Sequence, residues 1–193
     1  NADREDMPEA LGALPPEGDE PGVGERAMFG SPVQKHGQLS VQGNVVVDQS
    51  GEPVQLRGMP LLWSQWMGRY WNKVVIRWLA SDWGVSVVRT AMGVKSGGYL
   101  HNPDAEKAKV TAVVDAAIAA GIYVIIDWHK ENADQHAEQS KAFFHEMAQM
   151  YGVQPNVIFE TFNVPTSQSW AGVIKLYREQ IVPMTRRHLE NLI

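Results

Sequence analysis

Tyr123-Val124-Ile125-Ile126-Asp127 reads as a β-strand with no polar alternation, the kind that a parallel sheet buries on both faces. Working outward from it, the pattern changes period. Residues Ala105 to Ala120 read as a helix whose apolar face is Val110, Val113, Val114, Ala117 and Ile118, and Gly121 ends it. Before that helix, Val85 to Met92 forms another buried strand. After the central strand come a helix over Gln139 to Tyr151, with Gly152 as its cap, and a strand over Asn156 to Phe162. A third helix runs from Trp170 to Leu189, interrupted near Pro183, and Leu192-Ile193 opens a further strand.

Upstream, Leu39, Val41 and Val45 to Val47 flank Gly43-Asn44, a hairpin signal. Asp48 to Gly51 reads as a second turn, and Pro53 to Gly58 as the first strand of the alternating series. Strand centres then fall near residues 56, 88, 125, 159 and 193, one βα unit about every 34 residues. A doubly wound sheet and a (β/α)8 barrel both give this alternation. No glycine-rich phosphate loop follows the first strand, and polar side chains (Arg89, Asp127 with His129, Asn163) stand at strand carboxyl ends. Barrels place their chemistry there. The expectation is an α/β fold, the amino-terminal half of a (β/α)8 TIM barrel with about four βα units, preceded by a β-hairpin and an acidic, irregular tail. The chain has 193 residues, whereas a whole barrel needs roughly 250.

The tail is read as residues 1–36 and the half-barrel as 37–193. Residues 1–25 hold eight acidic side chains and one basic one, so the rest carries about +2 of the total of −5. Pro15-Pro16 and Pro21-Gly22 exclude a helix there; a solvated tail is expected, with a docking arm as the alternative. A near-neutral body lacks the basic stripe that nucleic acid requires. There is no cysteine, hence no disulfide or thiolate metal site. The six histidines are scattered with no ligand spacing, so no metal or other cofactor is expected. No apolar run reaches the roughly 20 residues of a membrane span.

Six motifs in order carry a specific resemblance: Pro53 to Met59, Trp63-Ser64-Gln65-Trp66, Ser86 to Met92, Tyr123 to His129, Tyr151 to Asn156, and Ile158 to Pro165. Over residues 37–193 the chain resembles the amino-terminal half of glycoside hydrolase family 5, in particular its cellulase-type endo-β-1,4-glucanases. The resemblance implies a retaining mechanism with two carboxylates, an acid/base and a nucleophile. In the family the acid/base Glu follows an Asn in an Asn-Glu-Pro signature; this sequence reads Asn163-Val164-Pro165. Valine can neither give nor take a proton. The nucleophile belongs to strand seven, beyond the strand at which this sequence stops. Neither catalytic carboxylate is therefore expected in the chain.

Arg89, His129 and Asn163 match family positions that orient the nucleophile and the sugar, and here they are expected as vestiges. A structural use fits as well: Arg89 and Glu160 would form a buried pair inside the half-barrel, and His129 would cap a strand end. Asp127 reads as an orienting residue. Glu131 and Glu160 do not stand at the place of Val164 and are not expected to replace the lost acid. Among seven tryptophans, Trp63 and Trp66, in the loop after the first strand, are the candidates for stacking on sugar rings. Trp78 and Trp83 are expected in the core.

Four parallel strands cannot close, so both edges would expose unpaired backbone groups. The expected partner is another protein chain over the open barrel edge, or a second copy in a homo-oligomer, with β-glucan as a further ligand. The leading functional reading is a degenerate, inactive glycosidase-like protein serving as a structural or assembly subunit. The alternatives are a truncated secreted endo-β-1,4-glucanase and a non-catalytic glucan-binding module. Family members are usually secreted, and the sequence itself names no compartment.

Overall fold

A computed structural model describes residues 30–166, 168–172, 182 and 191–193. The acidic residues 1–25 and most of the helix expected over Trp170 to Leu189, Pro183 included, lie outside the described residues. Residues 30–36, read from sequence as the end of the tail, are built into the body. Helix α1 (Pro32–His36) is capped by Ser31, whose Oγ accepts from the Gln34 amide at 3.3 Å. It is tied beneath the sheet by the Val33 amide, which donates to the Gly121 carbonyl at 3.0 Å. One residue on, the Tyr123 hydroxyl donates to the Gly37 carbonyl at 2.7 Å.

The hairpin follows as expected. Strands β1 (Ser40–Gln42) and β2 (Val45–Val47) pair antiparallel across Gly43-Asn44, with Gly43 at φ +62°. In the next turn Asp48 Oδ1 accepts from the amides of Ser50 at 2.9 Å and Glu52 at 3.1 Å.

The first strand of the parallel series is not where the sequence placed it. Within Pro53–Gly58 only Pro53 forms an isolated bridge, to Val47, and strand β3 is Gly58–Leu61. Two facts move it downstream. A Cβ on Gly58 would lie 1.7 Å from the Val87 carbonyl oxygen, so the glycine marks where the two backbones meet. Pro60 sits where β3 has a partner on one side only among the described residues, so its missing N–H costs nothing.

Strands β3, β4 (Val87–Gly93), β5 (Tyr123–His129) and β6 (Val157–Glu160) form one parallel sheet in sequence order. The last strand is shorter than expected and stops at Glu160. Beyond it, the Phe159 amide donates to the Leu192 carbonyl at 2.9 Å, as a fifth strand beginning at Leu192 requires. Four further α-helices have described bounds. They are α2 (Ser64–Met67), α3 (Lys73–Ser81), α4 (Pro103–Ala120) and α5 (Ala137–Tyr151). Gly121 takes the left-handed conformation at φ +69°, and its amide donates to the Ala117 and Ile118 carbonyls to end α4.

Strand register decides which residues share a face. Arg89 stands opposite Ile125, and Asp127 opposite Glu160. With a period of two, Val88, Met92, Val124, Ile126, Trp128, Val157 and Phe159 all point the other way. That second face is covered by helices and is 0–1% exposed. Its centre is a run of edge-to-face and tilted aromatic contacts through Tyr99, Trp128, Phe143, Phe144 and Phe159. The first face carries Arg89, Asp127, His129 and Glu160.

Trp78 and Trp83 are not core residues: they are 41% and 59% exposed and meet edge to face at 5.6 Å. Helix α3 buries Ile76 and Leu79, and at 100° per residue Trp78 falls on the opposite side. Trp83 lies past the helix end, just before the turn at Gly84.

Candidate functional site

The open face of the sheet gathers Asp127, His129 and Glu160 toward the carboxyl ends of β5 and β6, and Arg89 from the middle of β4, four residues before its end at Gly93 and not at the carboxyl end where the sequence placed it. Arg89 is the hub. Its Nε donates to Glu160 Oε2 at 2.6 Å and its Nη2 to Glu160 Oε1 at 2.8 Å, a bidentate pair. The same Nη2 donates to Asn163 Oδ1 at 3.0 Å and lies 2.9 Å from Asp127 Oδ2. The Arg89–Glu160 pair read from sequence is present, but both side chains keep some solvent contact, 23% and 31% exposed. The carboxylate sealed from water is Asp127, at 0%.

Asp127 Oδ2 is shared. It faces Arg89 and, at 2.6 Å, Nδ1 of His129. With Asp127 ionised, this contact assigns the proton to Nδ1 and leaves the Nε2 lone pair of His129 free to accept from a hydroxyl. Asp127 Oδ1 is buried without a hydrogen-bond partner. Burial therefore pushes the Asp127 carboxyl up to about 6 from an ordinary 3.8, Glu160 adding to the rise while His129 and Arg89 oppose it.

That shift has a sign. The folded state holds its proton more tightly than the unfolded state, so between pH 4 and 6 it binds more protons. Stability contributed by Asp127 is present below pH 4 and is lost as the pH rises to about 6, by up to about 3 kcal/mol. Asp127→Asn should abolish that downward slope in urea midpoints measured from pH 4 to 7. An unchanged slope would assign it to another group.

Above the charged cluster sits an aromatic shelf. Trp63 and Trp66, on either side of the start of α2, stack face to face with centroids 4.7 Å apart and planes 3° apart. Trp63 also meets the His129 ring edge-on at 4.8 Å. The two indoles therefore have different parts. Trp63 is half-buried between its neighbours, and Trp66, 57% exposed, offers the outer face. Trp71 anchors the same loop from beneath, its Nε1 donating to the Leu62 carbonyl at 2.9 Å.

The structure thus brings together Arg89, His129, Asn163, Trp63 and Trp66, with Val164 next to Asn163 and 56% exposed. Glu131 lies in the following loop beside Lys130, at 3.4 Å; a backbone hydrogen bond and that lysine hold its carboxyl below the usual range. Sequence reasoning missed Ser64 and Glu106, both buried beneath the aromatic shelf. Glu106 gave no signal of its own, because an acidic residue in the first helical turn normally serves the helix terminus from solvent.

The profile of the cellulase family, glycosyl hydrolase family 5, matches residues 47–193. Endoglucanase N of Pectobacterium atrosepticum is 41% identical over 172 residues, which cover 86% of this chain and 38% of that protein. Endoglucanase A of Evansella cellulosilytica is 45% identical over 148 residues, 74% of this chain and 30% of that protein. A solved structure from Cytophaga hutchinsonii superposes with a TM-score of 0.81 at 51% identity, covering 84% of this chain and 54% of that one. The catalytic domain of Thermobifida fusca endoglucanase Cel5A gives a TM-score of 0.80 at 32% identity with the same coverage, and a variant of it has been solved with cellotetraose. The chain spans about a third of these curated relatives and about half of the solved ones. The parallel sheet, the family match over residues 47–193 and the endoglucanase relatives agree: the chain belongs to glycosyl hydrolase family 5, as the amino-terminal half of its barrel.

Proposed function

We propose that this chain binds β-1,4-glucan through Trp66, His129 and Arg89 and does not hydrolyse it. One observation carries the reading. Asn163 is held by Arg89 at 3.0 Å, and the residue that follows it, where the family's acid/base glutamate belongs, is Val164. The neighbouring acids do not compensate. Glu160 is held by both forks of Arg89, and Asp127 is sealed between Arg89 and His129. Glu131 is held in its ionised form and has no proton to donate. A general acid is typically worth 10²- to 10⁴-fold in rate.

The sequence ranked a structural subunit ahead of a glucan-binding module. The ordering is reversed here because the sugar-facing groups form a preorganised set, with a free imidazole lone pair beside an exposed indole. A relative of the same fold holds cellotetraose. Titration calorimetry with cellopentaose is the test. Binding is expected, with Trp66→Ala weakening it about tenfold or more, since a central tryptophan commonly contributes more than 1 kcal/mol. No heat at millimolar ligand would remove the binding reading.

A second reading, a segment of a hydrolysing endoglucanase, is favoured by the 38% and 30% coverage of the curated relatives. On that reading a second carboxylate is contributed by protein outside these residues. A covering partner for the open sheet edge is part of either reading. Native mass spectrometry of the isolated material separates them: a mass carrying a second barrel half supports the enzyme, and an unrelated partner supports the non-hydrolysing reading.

A further inference from the structure

Beneath the aromatic shelf lies a buried polar network that the sugar-facing cluster does not use. Ser64, the first residue of α2, is 0% exposed, and Glu106, in the first turn of α4, is 1% exposed. The Ser64 hydroxyl donates to Glu106 Oε2 and accepts from the Gly93 amide, at the end of β4, at 2.8 Å. Lys109, one helical turn further along α4, donates through Nζ to Glu106 Oε1 at 2.6 Å and to the Ser64 carbonyl at 3.1 Å. Ser64 is thereby gripped at both its side chain and its backbone. It lies directly between Trp63 and the turn that carries Trp66.

We propose that Glu106, together with Lys109, is a positioning residue for the aromatic shelf. Acting through Ser64, it fixes the stacked geometry of Trp63 and Trp66 from an outer helix, touching no ligand itself. The chemistry requires a carboxylate. Its two oxygens serve a hydroxyl and an ammonium at once, and only an acceptor at Oε2 turns the Ser64 oxygen so that its lone pair meets the Gly93 amide. A helix packed on the far side of the sheet thus sets the position of side chains on the open side. The network also explains a buried charge that packing alone would disfavour. That the shelf receives a glucan rests on the reading above; that Glu106 sets its geometry does not.

The test uses the full 193-residue chain labelled with 5-fluorotryptophan. Trp63 and Trp66 are assigned through single Trp→Phe replacements, and their fluorine shifts report each other's ring current. Ser64→Ala and Glu106→Gln are expected to move both resonances and leave those of Trp78, Trp83 and Trp128 in place. Resonances of Trp63 and Trp66 that stay put, or seven resonances that move together, would overturn the proposal. Affinity supplies the second readout. Glu106→Gln should weaken cellopentaose about five- to tenfold in the parent but not further in a Trp66→Ala background. An equal loss in both backgrounds refutes action through the shelf. If the parent binds no cellopentaose, the fluorine shifts still decide on Glu106 and the failure falls on the glucan reading alone.

Discussion

Arg89→Met should lower stability by about 3 kcal/mol at neutral pH, a fall of roughly 6–12 °C in the thermal midpoint for a chain of this size. The guanidinium lies between two carboxylates, Glu160 at 2.6 Å and Asp127 at 2.9 Å. Removing it leaves one sealed charge and one half-sealed charge facing each other with nothing between them. Loss of one partner from a fully buried pair typically costs 3–5 kcal/mol. The lower end applies here because Arg89 and Glu160 are 23% and 31% exposed, and water screens part of the interaction. The deficit should also depend on pH. Without the cation Asp127 would take up its proton more readily still, so the difference from the parent should shrink as the pH falls toward 4. Adding Glu160→Gln to Arg89→Met should recover about half of the loss, since one of the two stranded charges is gone. A deficit under 1 kcal/mol, flat from pH 4 to 7, would mean that Arg89 does not hold these acids together.

Why this hub could be foreseen, and other parts could not, follows from what a residue pattern encodes. Arg89, Asp127 and Glu160 each interrupt a strand's apolar run, and period-two alternation puts them on one face once the strands are in register. Helix α4 was equally legible: Val110, Val113, Val114 and Ala117 recur at helical spacing and are all buried. Strand β3 was misplaced because the alternation Val54-Gln55-Leu56 looks like a strand locally, whereas the pairing starts only at Gly58. There Gly58 permits close approach of Val87 and Pro60 is tolerated at an edge. Trp78 was misjudged by residue type, when its angular offset from Ile76 and Leu79 already placed it outside. Glu106 was illegible in principle. Its burial depends on Ser64, 42 residues away, and no local pattern records a contact of that range.

Legibility ends at Val164, where the substitution is plain and its consequence depends on the rest of the barrel. Val164→Glu in the 193-residue chain should release no reducing sugar from soluble cellulose. A retaining mechanism needs two carboxyl groups about 5–5.5 Å apart, and the acids already at this end of the sheet are committed to Arg89, His129 and Lys130. The outcome should change when the chain is joined to the carboxyl-terminal half of a hydrolysing relative such as endoglucanase N. In that hybrid Val164→Glu should raise kcat by 10² to 10⁴, the usual worth of a general acid. Steepest gains belong to poor leaving groups, because protonation of the departing oxygen is what valine cannot supply. Aryl cellobiosides with acidic phenols should respond least. Two results would each overturn the reading. Turnover by Val164→Glu in the chain alone means that a second carboxylate is already in place. A hybrid equally fast with Val164 means that another group delivers the proton, and Glu131, in the loop after β5, is then the residue to replace first.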